Sequence, residues 1–534
     1  MSITSLSFIL FLFICVVLFY LCPVRFRWVV LLVASVVFYA ICGAQYLPFI
    51  CFTTVTVWWA GRRMGKLYEQ EAEVLKNLKD RKKKKDVKAL YKKECRRTLV
   101  LVMVLNIALL CAVKFLKYFV PNINQLLQWS GLLDRLLQGE EFTAAMIIVP
   151  LGVSYYTFST VGYLLDVYWK RYAYEPNLAR FALFAIYFPH IVQGPISRYN
   201  TLGQELKKEL RWDTSRVCKG AELMAWGFFK KLVIADWLNV FVEAVYAGEN
   251  TAGLVYFVAI LFDAVQIYTD FTGYMDIVSG ASEIFGVRLE QNFNHPFFSK
   301  NVQEFWRRWH MTMGGWFRDY VYKPITVSGW MKGLSKVTRG RLPDALRRYI
   351  ITAIPILITW FLTGLWHGTG NTYVAWGIYY GVLITLSTIC TPGLQSLGRK
   401  LRINMEAPSF DVYRMVRMFF LFCGGRLLTR PGSLEMSRQV LYAIFHSFQP
   451  WTLWDGTLTT YGLTVPQLIL ELAAIALLWW VSYHEEHKGP VRDALEQQNL
   501  VFRWALLYVL LFAIIIFGCY GPGYDAASFI YAAY

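Results

Sequence analysis

The chain is poor in charge. Only 17% of its 534 residues are Asp, Glu, Lys or Arg, while 56% are apolar; a soluble domain carries about a quarter charged residues. A soluble globular fold is excluded. Lys and Arg number 54 against 36 Asp and Glu, yet they gather in blocks between long uncharged runs, which excludes disorder, a collagen-like repeat and a nucleic-acid-binding domain. Paired cysteines are lacking too. The ten Cys are scattered, mostly inside apolar runs and with no C-x-x-C, so neither a disulfide framework nor a zinc ribbon fits. There is no G-x-S-x-G elbow, no P-loop and no H-x-x-x-x-D signature, and Gly368-Thr369-Gly370 has no strand before it to make a dinucleotide site. His484-Glu485-Glu486-His487 is not in the H-E-x-x-H order of a zinc protease and reads as a polar helix end. No repeat of about 20 to 50 residues is visible, nor a matched pair of broken helices of the kind that marks transporter halves.

What is present is a series of apolar runs long enough to cross a bilayer, each needing about 20 residues. Residues 2–22 are uncharged and lack the basic start and small-residue cleavage site of a signal peptide, so they read as a first span. Residues 28–61 are uncharged throughout; as one helix they would reach about 51 Å, too long for a hydrocarbon core of about 30 Å. Gly43 and Pro48 supply the break that makes two helices. Further spans are expected at 99–120, 143–165, 221–242, 253–280, 349–365, 372–390, 415–428, 468–483 and 501–519. The expectation is an all-α, polytopic membrane protein of about 11 to 12 transmembrane helices, with re-entrant and interfacial helices besides.

With the amino terminus outside, the inner loops hold 42 of the 54 Lys and Arg. The outer side keeps Lys114, Lys117, Arg135, Arg426, Arg430 and Arg438, so the positive-inside rule sets the orientation. Two inner loops stand out. Residues 62–98 contain 15 basic and 6 acidic residues, which reads first as a topology signal on anionic lipid and second as a protein-docking segment. In residues 283–348 the charges are interleaved with Trp, Phe and Tyr.

Several polar residues do not belong in lipid. Residues 349–392 contain no Asp, Glu, Lys or Arg, and their one ionisable group that stands out is His367, in Gly364-Leu365-Trp366-His367-Gly368-Thr369-Gly370-Asn371. An ionisable residue at membrane depth is a functional candidate by default. The cost of burying charge keeps such an imidazole neutral and able to accept a proton, as a general base must; the alternative is a structural His closing a helix turn. The glycines are expected to break the helix there and to let other groups approach closely. His310 follows Glu304-Phe305-Trp306-Arg307-Arg308-Trp309, with Phe305, Trp309 and Thr312 near one helical face and Arg307, Arg308 and Arg318 available for an anion. Taken alone this is an interfacial amphipathic helix in which His310 is ordinary. Asp263 and Asp270 share a helix face and Asp276 lies on another; structural pairing with Arg or Lys from the inner loop is the first reading, proton relay the second. Residues 181–197, with Pro189, His190, Gln193, Gly194 and Pro195, suit a re-entrant segment.

At His310 and His367 the sequence resembles the membrane-bound O-acyltransferase family, in the bacterial branch that includes the alginate O-acetylation membrane protein and the teichoic-acid D-alanyl transfer protein. The resemblance runs through Pro150-Leu151-Gly152-Val153-Ser154, Gln193 to Tyr199, Tyr268 to Asp276, Asn292-Phe293-Asn294-His295-Pro296-Phe297, Phe305 to Tyr322, Leu365-Trp366-His367-Gly368 and Trp376-Gly377. It implies an all-helical core over residues 1–430, with the basic loops 62–98 and 283–348 cytoplasmic, and a C-terminal extension, 431–534, carrying two further spans. It makes His367 the membrane-buried catalytic histidine and His310 the second signature histidine. Trp309, Trp366, Arg307, Arg308, Arg318 and Asn371 are then expected to bind the donor or wall its channel, with Asp263, Asp270, Asp276 and Gln193 as structural or relay groups. Asn371 stands where an aromatic is common, Thr312 and Gly314 where Ser is common, and Tyr380 where a His often precedes Gly381.

The resemblance further implies transfer of an acyl group, acetyl first, from a cytoplasmic thioester to an extracytoplasmic hydroxyl, in the plasma membrane of a bacterium. The donor substrate is acetyl coenzyme A or an acyl-phosphopantetheine carrier protein, drawn to the basic inner face. The acceptor is a polysaccharide or a partner acetyltransferase of the SGNH type. No bound cofactor, no metal and no nucleic-acid partner is expected. The alternatives are D-alanyl transfer to teichoic acid, a transporter or channel, and a scaffold that has lost catalysis.

Overall fold

The computed structural model describes residues 1–116, 120, 124–125, 128, 148–248, 251–368 and 370–520. The expected start of the 143–165 span, together with Lys117, Arg135 and Thr369, lies outside them. Among the described residues every regular element is helical. Seven segments are long and apolar enough to cross a membrane: Val24–Asn77, Arg81–Phe115, Gly253–Phe285, Asp344–His367, Asn371–Lys400, Val465–Lys488 and Leu500–Phe517. The first contains two helices, Arg27–Gly43 and Leu47–Asn77, joined by a 3-10 turn over Ala44–Tyr46, so the break expected at Gly43 and Pro48 is there. Leu6–Leu21, Val153–Tyr168 and Pro408–Thr429 are helices as well, the last with Arg414, Arg417 and Arg426 inside it. None of these three is among the seven, so the described residues give fewer candidate spans than the 11 to 12 expected.

The chain divides into two compact units, one of residues 1–213 and 285–290, the other of 214–284 and 291–534. In the first unit the expected basic loop is a correction: residues 62–98 are not a loop. Leu47–Asn77 and Arg81–Phe115 carry it as a helical hairpin with only three residues between them, and Asp80 caps the second helix through Lys82 N. Good helix formers, Lys, Glu, Leu and Ala, fill the two helical stretches on either side of the turn at residues 78–80. Gly152 starts the helix Val153–Tyr168 with φ +68°, and a Cβ there would meet the Ile191 carbonyl oxygen at 1.9 Å, so both the backbone and the space require glycine. After the nine-residue helix Leu178–Ile186, residues 187–197 turn through mostly buried irregular backbone rather than continuing as a helix. Gln193 lies in this segment fully buried, and neither amide atom has a hydrogen-bond partner.

The second unit contains the helical hairpin that presents His367. Helices Asp344–His367 and Asn371–Lys400 touch backbone to backbone: a Cβ on Gly364 would lie 2.5 Å from the Tyr373 carbonyl oxygen, and one on Gly377 2.6 Å from that of Trp360. Gly364 therefore lets the partner helix approach, as the sequence leads one to expect, but it does not itself break the helix. The helix ends directly after His367, with Gly368 N–H closing on the Gly364 carbonyl at 3.2 Å. A π-helical turn, Phe229–Ala235, interrupts the helix over residues 214–247 and carries Lys230 and Lys231.

Candidate active site

The helix expected to run through Phe305, Trp309 and Thr312 is broken. Val302–Arg308 ends, His310 takes the left-handed conformation (φ 45°, ψ 54°), and Met311–Phe317 begins. A non-glycine residue held there is strained and persists only where its surroundings dictate it. Those surroundings are residues 292–294, running beside 308–311: Met311 N–H donates to the Asn292 carbonyl at 2.9 Å and Asn294 N–H to that of Arg308 at 2.9 Å. The Asn292 side-chain oxygen lies 3.0 Å from His310 Nδ1 and accepts from Thr312 N at 3.1 Å and Thr312 Oγ1 at 2.9 Å. An amide oxygen accepts only, so Nδ1 carries the proton and Nε2 is the basic nitrogen. His310 is fully buried, packed edge-on by Phe271 at 4.9 Å between ring centres. Burial pushes its imidazole down to about 3, which keeps it neutral.

His367 is the last residue of its helix and only 5% exposed. Trp366 stands between the two imidazoles, its ring centre 6.0 Å from His310 and 4.8 Å from His367. Trp376 packs on His367 from another side, also at 4.8 Å. His367 borders a cavity of about 20 Å³ whose wall also includes Trp306, Trp309, Tyr373, Trp376 and Arg426. That is space for a water molecule or a group of similar size.

The other expected site residues are distributed unevenly. Trp309 lines the cavity, whereas Asn371 is an exposed residue at the start of its helix and is not on the cavity wall. Arg308 is bound by Glu486 at 2.7 Å and Glu304 at 2.9 Å, and Arg318 and Lys323 both reach Asp319, at 3.3 and 2.8 Å. Arg307 is exposed. The basic inner face is thus partly neutralised by its own carboxylates. The three aspartates do pair structurally, but their partners are not those expected from the inner loop. Arg426 binds Asp263 with two bonds, 2.7 and 3.0 Å, and Arg430 adds a third contact at 3.3 Å. Lys231 joins Asp270 at 2.6 Å and Asp236 at 2.7 Å, and Lys230 holds Asp276 at 2.6 Å. Cations from neighbouring helices are nearer at that depth than any loop side chain, and a buried charge requires a partner.

Sequence reasoning singled out neither Asn292 nor the cavity walls Trp306, Trp376 and Arg426 as site residues, although Asn292, Trp306 and Trp376 stood in quoted motifs. Among the described residues no group of three or more His, Cys, Asp or Glu is placed to hold a metal.

Comparison with known proteins gives the arrangement its context. Residues 169–338 match the model of the membrane-bound O-acyltransferase family. A probable alginate O-acetylase AlgI of Azotobacter vinelandii is 30% identical over 462 residues, 86% of this chain and 81% of the relative. The chain belongs to the membrane-bound O-acyltransferase family. This O-acyltransferase is also similar to the peptidoglycan O-acetyltransferase of Helicobacter pylori, 25% identical over 67% of this chain and 63% of that one. The teichoic acid D-alanyltransferase of Bacillus subtilis is 30% identical over a shorter stretch, 45% of this chain and 59% of that one. As a family member the chain is a multi-pass membrane acyltransferase that takes its acyl group from a donor substrate rather than a bound cofactor.

Proposed function

We propose that this acyltransferase moves an acetyl group from a cytoplasmic thioester, acetyl coenzyme A or acyl-phosphopantetheine on a carrier protein, to a hydroxyl on the outer side of a bacterial plasma membrane. The hydroxyl belongs to an extracytoplasmic polysaccharide or to an SGNH-type acetyltransferase partner. Acetyl is preferred to D-alanyl because the likeness to alginate O-acetylase covers 86% of the chain and that to the D-alanyltransferase 45%. Residues 1–430 form the catalytic core and 431–534 an extension to it.

The observation that carries this reading is His367, buried at a helix end on the wall of an aromatic cavity. Its imidazole takes the proton of the acceptor hydroxyl as the oxygen attacks the thioester carbonyl, then returns it to the departing thiolate. His310, neutral and fixed by Asn292 Oδ1, orients the donor. Trp366 and Trp309 wall the passage. Asp263, Asp270 and Asp276 hold the surrounding helices through their cations, and Gln193 is structural.

The test is transfer of labelled acetyl from acetyl coenzyme A, and of labelled D-alanine from a carrier protein, by membranes containing the chain. Acetyl transfer that His367→Ala abolishes, with expression and thermal stability retained, is the expected result. Appreciable activity in His367→Ala would refute the base assignment. Transfer of D-alanine alone would refute the acyl group.

A further inference from the structure

Attack on a thioester carbonyl places negative charge on the carbonyl oxygen, and a cavity walled by aromatic rings does little for that charge unless a hydrogen-bond donor faces it. Among the described residues the wall includes Trp306, whose buried indole N–H is a donor not yet used. The indole nitrogen of Trp306 is buried and has no hydrogen-bond partner, although buried N–H groups in native structures nearly always find one. Trp306 borders the same cavity as His367. Its ring is held in place by Tyr380, Trp360 and Trp376, at 4.7, 4.8 and 5.5 Å between centres and at steep angles of 82°, 64° and 88°. Such neighbours offer at most a weak π acceptor. Arg426, the cation on that wall, is already engaged by both oxygens of Asp263. The packing thus fixes a donor at an aromatic wall and, among the described residues, supplies no acceptor for it.

We infer that Trp306 donates its indole N–H to the carbonyl oxygen of the acyl donor and holds the oxyanion as the tetrahedral intermediate forms. This rests on the acyl transfer proposed at His367. In the first step the hydroxyl oxygen bonds to the carbonyl carbon, the hydroxyl proton passes to His367 and the C=O π pair moves onto oxygen. In the second that pair re-forms the carbonyl, the C–S bond breaks and the proton goes from His367 to the thiolate sulfur. The Trp306 proton is not transferred in either step; its hydrogen bond shortens as charge gathers on oxygen.

The experiment uses the full chain in lipid nanodiscs, with whichever of acetyl coenzyme A or acetyl carrier protein sustains wild-type turnover. The same donor is then offered as its dithioester, in which sulfur, a poor acceptor, replaces the carbonyl oxygen. Trp306→Phe, which keeps a ring and removes the N–H, is expected to lower kcat about 100-fold, the effect typical of one oxyanion donor. KM for the donor and the thermal midpoint should stay near wild type. The wild-type preference for the thioester over the dithioester should fall towards parity in the variant, a change that a packing role does not produce. An unchanged kcat, a loss confined to KM, or an undiminished oxygen preference overturns the inference. Should the Phe variant fail to fold, Trp306→His retains an N–H and is expected to keep the oxygen preference; its loss there also overturns the inference. Wild-type chain inert towards both donors overturns the proposed function, and this role with it, whereas an active wild type with an indifferent Trp306 overturns this role alone.

Discussion

Asn292 shows how much a single acceptor can organise. One side-chain oxygen serves His310 Nδ1, Thr312 N and Thr312 Oγ1, so it sets the imidazole tautomer and starts the helix after His310. Asn292→Leu leaves these donors without an acceptor in a buried place, at a cost of about 1 to 3 kcal/mol for each group that stays unsatisfied. The expected outcome is a lower thermal midpoint together with loss of transfer. Asn292→Asp, which keeps an acceptor oxygen, should retain the helix start and lose less stability. His310 also makes a pH prediction. Its folded imidazole titrates at about 3, below the ordinary value of about 6.5 in the unfolded chain. The unfolded state therefore binds the extra proton as pH falls below 6.5, and the contribution of His310 to stability, full above 6.5, is lost progressively down to about 3. Denaturation measured across that range should be less pH-dependent in His310→Gln than in wild type. His367 stood out in the sequence as a residue type out of place, whereas His310 read as ordinary until the family resemblance singled it out. Asn292 was not, because an amide in a polar stretch carries no such signal.

At the scale of helices, the hairpin that ends in His367 depends on two glycines facing each other. Gly364→Val and Gly377→Val would each force a side chain into a backbone carbonyl at about 2.5 Å, and overpacking of this sort costs about 1 to 3 kcal/mol. Because His367 lies one turn beyond Gly364, both variants are expected to lose activity more than their fall in thermal midpoint would explain. Gly381→Ala is the milder case: the nearest atoms to its added Cβ are Trp360 Cβ at 3.2 Å and Leu357 Cδ2 at 3.3 Å, against about 2.5 Å to a carbonyl oxygen at the other two, so more activity should remain. Helix positions in apolar stretches were readable from the sequence, since hydropathy and length decide them. The breaks were read less well. Glycine suggests either a bend or a close approach, and only the facing helix tells the two apart: Gly364 is an approach, while His310, with no glycine beside the break, ends a helix.

For the whole molecule the distribution of basic residues predicts which side each segment faces. In a background without its ten cysteines, Lys83→Cys should react with a membrane-impermeant maleimide only in inside-out vesicles, and Arg438→Cys only in right-side-out ones. Labelling in the reverse sense would overturn the orientation, and with it a donor arriving from the basic face. Composition alone determined that this is an all-helical membrane protein, because burying unpaired backbone in lipid leaves few structures open, and the asymmetry of Lys and Arg supplies the expected direction that the labelling tests. Tertiary structure alone decided which cation meets which buried aspartate, that the 62–98 segment is a helical hairpin, and that Trp306, Trp376 and Arg426 share a cavity with His367. Hydropathy acts within one segment and leaves its mark on a local stretch of sequence. Pairing and enclosure depend on which helix faces which, and residues as far apart as Asp263 and Arg426 carry no local record of it.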